Sequence, residues 1–413
     1  MTDYRRRLID SKLATLLAEL PALSIVGPRA SGKTTTAAQL CSTVIRMDVP
    51  GEADAFRRDP DAALRGLAEP VLLDEWQSVP EVLGAVKRAV DSDFRPGRFV
   101  LTGSVRAELE VATWPGTGRV APVSMGPLTV AERLGVDTIP LVDRLLSNQR
   151  LKPGDNTPDI MGYIEHALVG GFPEPALRLS SAIRSVWFES YLEQVVTRDA
   201  FQSGMTRRDP DRLARYLTAY ALNSAGVAQD KTVYDAAGVN RRTAQSYEQL
   251  LTNLFVAAPV PAWTSNRLKR LMLQPKRYLI DPALYAAVLQ VVDPLVIFRD
   301  SDLLGRLIDT FIATQIRAEQ GWAKNRFRLH HLRQDSGTRE VDLVLEVGAD
   351  RVIGIEIKAA SSPQERDARH LIWLRDKLGD RFIKGVLLHT GPRTFDMADD
   401  IVAAPISTLW ASN

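Results

Sequence analysis

The stretch Gly27-Pro28-Arg29-Ala30-Ser31-Gly32-Lys33-Thr34 constrains this chain more than any other. It meets G-x-x-x-x-G-K-[ST] at every fixed position, with the apolar run ALSIV before it and the helical run TTTAAQL after it. A strand, a tight loop and a helix in that order predict a mostly parallel sheet covered by helices. The glycines let backbone N–H groups wrap a phosphate, and the helix start adds the positive end of its dipole. On this pattern Lys33 reaches the β and γ phosphates of ATP and the Thr34 hydroxyl ligates Mg2+. Gly27, Pro28, Arg29, Ala30, Ser31, Gly32 and Thr35 complete the cradle.

Binding a nucleotide is not yet hydrolysing it. The run PVLLDEW is an apolar strand ending in Asp74, placed to hold the Mg2+ water shell, and Glu75, placed to polarise the attacking water. RFVLTGS follows as a second apolar strand, where Thr102 or Ser104 orients that water or senses the γ-phosphate. The plain alternative is two core strands whose polar ends cap loops. It does not explain acids at a strand's carboxyl end, where open α/β sheets bind ligands. The expected elements are strands at 23–26, 43–49, 71–74 and 98–103, and helices at 33–42 and 81–90. An arginine reaching the γ-phosphate is a common further part of such machines, usually given by a neighbouring subunit. Arg119 and Arg198 are the candidates; an ordinary structural arginine is the alternative for each, and nothing in the spacing decides it. Hydrolysis is therefore expected to need a homo-oligomer.

At 413 residues the chain exceeds one compact core. Its formal net charge of +2 is too mild to announce nucleic acid, so any basic surface is local. The single Cys41 excludes a disulfide within one chain and fits a reducing, cytoplasmic setting. The start MTDYRRRLIDSKLATLLAEL carries charges through its apolar positions and reads as an amphipathic helix, not a signal peptide. No run is long enough to span a membrane.

Beyond about residue 155 the strand pattern gives way to helices. The segment KTVYDAAGVNRRTAQSYEQLLTNLFVAAPVPAW predicts a short helix, a turn at Gly238, a second helix from Asn240 and a strand from about 254. That order is a helix-turn-helix followed by a wing. Arg241 and Arg242 open the second helix, where such folds touch DNA. Arg267, Lys269, Arg270, Lys276 and Arg277 crowd the following ribbon, where phosphates could be neutralised. A winged helix used only for packing, with a solvated basic face, is the alternative.

The stretch REVDLVLEVGADRVIGIEIKAA predicts a hairpin. Pairing through Gly348-Ala349-Asp350 sets Leu345 against Ile353, Leu343 against Ile355 and Val341 against Ile357 on one aliphatic face. On the other face Asp342 meets Glu356, and Glu340 meets Lys358. Opposed carboxylates repel, and a divalent cation, Mg2+ or Mn2+, would relieve them. Lys358 could then steady the attacking water. Asp-x(13)-Glu-x-Lys is the constellation of restriction-endonuclease-like nucleases, and Asp309, on the helix LLGRLIDTFIATQI, could deliver a third acid. An exposed hairpin whose acids Lys358 neutralises fits the spacing equally.

Taken together, GPRASGKTTT, LLDEWQSVPEVLGAVKRAV, FVLTGS and GTGR, then GGFPE, YLEQVVTRD, GVNRRTAQSYEQLL, PKRYLIDPAL, GRLIDTF and REVDLVL, resemble a family of prokaryotic AAA+ ATPases with an uncharacterised C-terminal half. The resemblance covers nearly the whole chain. It implies an α/β architecture in order: a P-loop ATPase domain (1–135), a helical linker (136–200), a winged-helix-like domain (201–295) and a restriction-endonuclease-like α/β domain (296–413). It carries Lys33, Thr34, Asp74 and Glu75 for ATP, and Asp342, Glu356 and Lys358 for a nuclease-like site. Where the family usually has Glu on the helix before the hairpin, this chain has Asp309. The resemblance does not supply a substrate; with the helix-turn-helix and basic ribbon, the expected function is a Mg2+-dependent ATPase acting on or bound to DNA, with a nuclease-like domain gated by nucleotide state. The alternative is an ATP-binding switch whose nuclease-like domain only binds nucleic acid or a partner protein.

Overall fold

The computed structural model describes residues 4–103, 117–154, 156–199, 210–334, 337–348 and 350–411. These form two compact units, Met1–Pro127 with Asn253–Phe255, and Leu128–Thr252 with Val256–Asn413.

The first unit is built on five strands, β1 (Ala22–Val26), β2 (Thr43–Arg46), β3 (Val71–Asp74), β4 (Phe99–Gly103) and β5 (Val120–Ser124). They pair in parallel in the order β2-β3-β4-β1-β5. β1, β3 and β4 are buried along their whole length, as central strands covered on both faces must be. Leu73, Leu101, Val86 and Trp76 knit one face into a core with the helix Val82–Ser92. Two of the strands differ from expectation. β2 stops at Arg46, because Pro50 opens a helix over Pro50–Arg58. β5 is an addition: only Val120 and Val123 of VAPVS are buried, too weak an apolar signal to read as a strand. The strand order sets the ends of β3, β4 and β1 side by side, which brings Asp74, Thr102 and the Gly27–Thr34 loop to one edge.

The second unit begins with helices. Asp230–Ala236 and Arg241–Asn253 are joined through Gly238 at φ +65°, a left-handed turn that favours glycine. Asn240 caps the second helix by accepting from the Thr243 amide at 2.9 Å. The expected strand from about 254 reduces to isolated bridges, Ala257 with Leu279 and Val260 with Lys276, both antiparallel. After the helix Ser301–Glu319 comes a six-stranded mixed sheet: β6 (Phe327–Gln334), β7 (Arg339–Val347), β8 (Arg351–Lys358), β9 (Phe382–His389), β10 (Phe395–Ala398) and β11 (Ile401–Pro405). Its order is β10-β11-β9-β8-β7-β6. The helix Arg369–Leu378 packs so closely that a Cβ on Gly354 would meet Leu371 Cδ2 at 2.8 Å.

The hairpin forms, and Leu345 pairs with Ile353 and Leu343 with Ile355 as the alternation predicts. The rest of the predicted register does not. Pairing of β7 with β8 ends at Leu343, and β7 shifts by one residue against β6 between Val344 and Val341. This bulge turns Val341 into the same cluster as Val344, Leu371 and Leu374, so the single aliphatic face including Val341 is not formed. It also turns the Asp342 side chain into the ladder, where Oδ2 accepts the Ile357 amide at 2.9 Å.

Candidate functional sites

At the first site the backbone takes the shape the motif needs. Ala30 and Gly32 have φ of +57° and +91°, and Gly27 lies so near Met125 that a Cβ would sit 2.0 Å from its carbonyl oxygen. The Lys33 side chain is 4% exposed and its Nζ donates to the Pro28 carbonyl at 2.7 Å. Burial pulls Lys33 down to about 8, against the opposing pull of Glu75 and Asp74. Thr34 Oγ1 donates to Asp74 Oδ1 at 2.7 Å, and the Thr102 hydroxyl donates to the same oxygen. Ser31 closes the turn onto the Pro28 carbonyl at 2.9 Å, while Thr35 is exposed. Glu75 sits at φ +50°, ψ +47°, unusual for a residue with a side chain, and accepts from Gln77 Nε2. The set fits a nucleotide with a divalent metal: a buried ammonium resting on a neutral acceptor, and two hydroxyls converging on one carboxylate. Ser104 lies outside the described residues.

Two contributors escape a reading of the sequence. Gln77 holds Glu75. Arg7, 5% exposed, donates to the Ser31 carbonyl at 3.0 Å and to the Gly126 carbonyl at 2.9 Å, tying the loop to the end of β5. No local pattern marks Arg7, because its partners are backbone oxygens 24 and 119 residues away. Of the finger candidates, Arg119 pairs with Asp91 at 2.8 Å on the surface. Arg198 has a side chain that lies outside the described set.

The second site departs further from expectation. Asp309, 8% exposed, faces Lys276 Nζ at 2.6 Å and accepts from the Tyr278 hydroxyl at 2.7 Å. Lys276 also reaches Asp342 Oδ1 at 3.1 Å. Burial pulls Lys276 down, but Asp309 and Asp342 win and hold it well above the ordinary range. Burial pushes Asp309 up to about 6, with Lys276 opposing. Burial acts on Asp342 too, yet Lys276 and Lys358 keep it below the usual carboxylate value. Glu356 is held well above its ordinary value by burial first and then by the Asp342 charge, and its Oε1 lacks a hydrogen-bond partner. Lys358 sits 3.4 Å from Glu356 Oε2.

The expected metal triad of Asp309, Asp342 and Glu356 is therefore not assembled. Among the described residues no group of three His, Cys, Asp or Glu side chains could hold a metal ion. Lys276 stands between two of the acids, whereas the sequence alone puts it on a basic ribbon facing DNA. That assignment is corrected for three residues. Lys276 and Arg277 are each 1% exposed, Arg277 bonds Asp230 and the Ala228 carbonyl, and Arg270 grips Glu346 at 2.7 and 2.9 Å. Each long cation is drawn inward by a buried or facing acid that lies far off in sequence. Lys269, Arg241 and Arg242 are exposed, and the Arg267 side chain lies outside the described set.

Comparison with known proteins divides the chain in three. Residues 19–134 match a family described as an AAA domain. Residues 161–295 match a domain of unknown function, DUF8612, and residues 304–409 another, DUF4143. An uncharacterized protein of Mycobacterium bovis and one of Mycobacterium tuberculosis are each 27% identical over 409 residues, 98% of this chain and 84% of each relative. The first match supports an AAA-type ATPase that binds a nucleotide with a divalent metal. No helix among the described residues is long and apolar enough to cross a membrane.

Proposed function

We propose that this protein is a Mg2+-dependent ATPase whose C-terminal half binds nucleic acid or a partner protein and does not cut. The observation that carries the ATPase reading is the convergence of Thr34 and Thr102 on Asp74, beside a buried Lys33 whose ammonium rests on a neutral carbonyl. When bound, Mg2+ screens the phosphate charge. Thr34 and Asp74 are the residues that would hold the metal and its water, and Lys33, here on the Pro28 carbonyl, would meet phosphate oxygens. Glu75 polarises the attacking water once Gln77 lets it go. Glu75→Gln is expected to bind ATP like the parent and to hydrolyse it about a hundredfold more slowly or worse. Turnover at the parental rate would remove Glu75 from this role.

Two finer readings belong to the same proposal. Arg119 is engaged with Asp91, so we place the γ-phosphate arginine on a second copy of the chain, in a homo-oligomer. Specific activity then rises with protein concentration. Activity that is full at concentrations where the protein is monomeric counts against it. For the C-terminal half, Lys276 between Asp309 and Asp342 favours binding over a nucleotide-gated nuclease. The exposed Arg241 and Arg242, at the start of a capped helix, are the proposed DNA contacts. Changing both to Ala should weaken duplex binding and reduce its salt slope by about one for each phosphate that these side chains neutralise. An unchanged slope points to a protein partner instead.

A further inference from the structure

We infer that Lys276 is the resident cation of the C-terminal acid cluster: its ammonium occupies the position a divalent metal would need between Asp309 and Asp342, and the cluster clamps the 276–278 ribbon onto the sheet. The inference deepens the binding-only reading of this sheet and rests on it. Four oxygens decide the matter. Asp309 engages the Tyr278 hydroxyl through Oδ1 at 2.7 Å and Lys276 through Oδ2 at 2.6 Å. Asp342 engages Lys276 through Oδ1 at 3.1 Å and the Ile357 amide through Oδ2 at 2.9 Å. A hard divalent cation needs about six oxygen ligands, and each of these four oxygens already has a partner while the lysine's charge fills the space between the acids.

The lysine is fixed as well as present. Its backbone exchanges two hydrogen bonds with Val260, at 2.8 and 2.9 Å, and the next residue is held the same way, Arg277 N to the Gly226 carbonyl at 3.0 Å and Ala225 N to the Arg277 carbonyl at 2.7 Å. With the side chain 2% exposed, the ammonium is withdrawn from solvent. A gate would need a hinge here, and the pairing on both sides supplies a clamp instead. Asp309 and Asp342 come from a helix and a bulged strand, and Lys276 and Tyr278 from the bridged ribbon, so one charge cluster joins three elements of the unit.

The test is Mn2+ binding by full-length, nucleotide-free protein, read by electron paramagnetic resonance in an Asp74→Asn background that silences the N-terminal site. The parent should take up no Mn2+ that depends on Asp342. Lys276→Met should gain such a site, with bound Mn2+ about tenfold or more above the parent's background, and Lys276→Met/Asp342→Asn should lose it. If Lys276→Met does not fold in EDTA, millimolar Mn2+ should restore folding. Failure of Mn2+ to bind or to rescue overturns the inference, and so does Asp342-dependent uptake by the parent. Nuclease assays on the same preparations separate the two ideas. Mn2+-dependent cutting by the parent, abolished by Asp342→Asn, sinks both. Asp342-dependent uptake without cutting sinks only the role given to Lys276.

Discussion

Two buried lysines divide this molecule: one ammonium is bonded to a neutral carbonyl, the other to two carboxylates. Lys33 and Lys276 are both nearly inaccessible, at 4% and 1% exposure, and both lie close to paired acids. Lys33 hands its ammonium to a neutral carbonyl, and burial drags it down to about 8. Lys276 hands its own to two carboxylates and is held well above its ordinary value. A buried cation without a directly bonded anion is unfavourable to keep, so its presence argues for an anion that arrives later. One already bonded to two anions asks for nothing. On this reading the same residue type serves the proposed nucleotide site in one unit and the inferred clamp in the other.

The contrast predicts opposite losses. Lys33→Ala should abolish nucleotide binding, as measured by fluorescent ATP analogue titration, and leave the melting temperature of the free protein near the parental value or above it. Removing a desolvated charge with no directly bonded anion costs the fold little. If Lys33→Ala unfolds the protein instead, Lys33 is structural and the comparison breaks.

Lys276→Met should do the reverse. It leaves Asp309 and Asp342 facing each other without their cation, and breaking a buried pair in this way costs about 3–5 kcal/mol. Denaturant titration should show a large drop in stability. Asp342→Asn is expected to be milder but still destabilising, because it removes half of the lysine's charge partner while its amide oxygen can keep the Ile357 hydrogen bond. From the hairpin pattern alone the opposite sign follows, since relieving repulsion between Asp342 and Glu356 should stabilise. A stability rise in Asp342→Asn would show that this repulsion outweighs the Lys276 bond.

That reversal locates what the sequence makes legible. The Gly27–Thr34 loop, Asp74 and Thr102 can be read because each sits at a fixed offset from a strand, and parallel topology brings strand ends together without further information. The pairs Leu345 with Ile353 and Leu343 with Ile355 can be read because alternation with period two selects a register. The bulge between Val344 and Val341 cannot, since it depends on how Leu371 and Leu374 pack against the sheet. Lys276 is misplaced by its sequence setting because it lies 33 residues from Asp309 and 66 from Asp342, and a run of basic residues looks the same whether its members face water or acids. Gln77 is legible in principle, two residues after Glu75, but an amide carries no charge pattern to draw attention.

A third buried titratable group sharpens the comparison through its pH dependence. Glu319 ends the helix that carries Asp309, is 4% exposed, and accepts from the Leu141 amide at 2.9 Å, a neutral donor. It is the acidic counterpart of Lys33. Burial pushes it up to about 8, against the Leu141 hydrogen bond and the charge of Arg144, whose Nη2 is engaged by the Thr408 carbonyl at 2.7 Å. The folded chain therefore holds a proton on Glu319 that the unfolded chain has released, across the window from 4.5 to about 8. Stability should be full below that window, fall as pH rises through it, and reach its floor above about 8, a loss on the order of a few kcal/mol. Glu319→Gln keeps the acceptor for Leu141 and removes the titration. Thermal unfolding from about pH 5 to about pH 9 should show a flatter profile for the variant, crossing to higher stability than the parent at the alkaline end. Parallel profiles would mean that Glu319 is ionised in the fold with a cation close enough to keep it so, and then it belongs with Lys276 and not with Lys33.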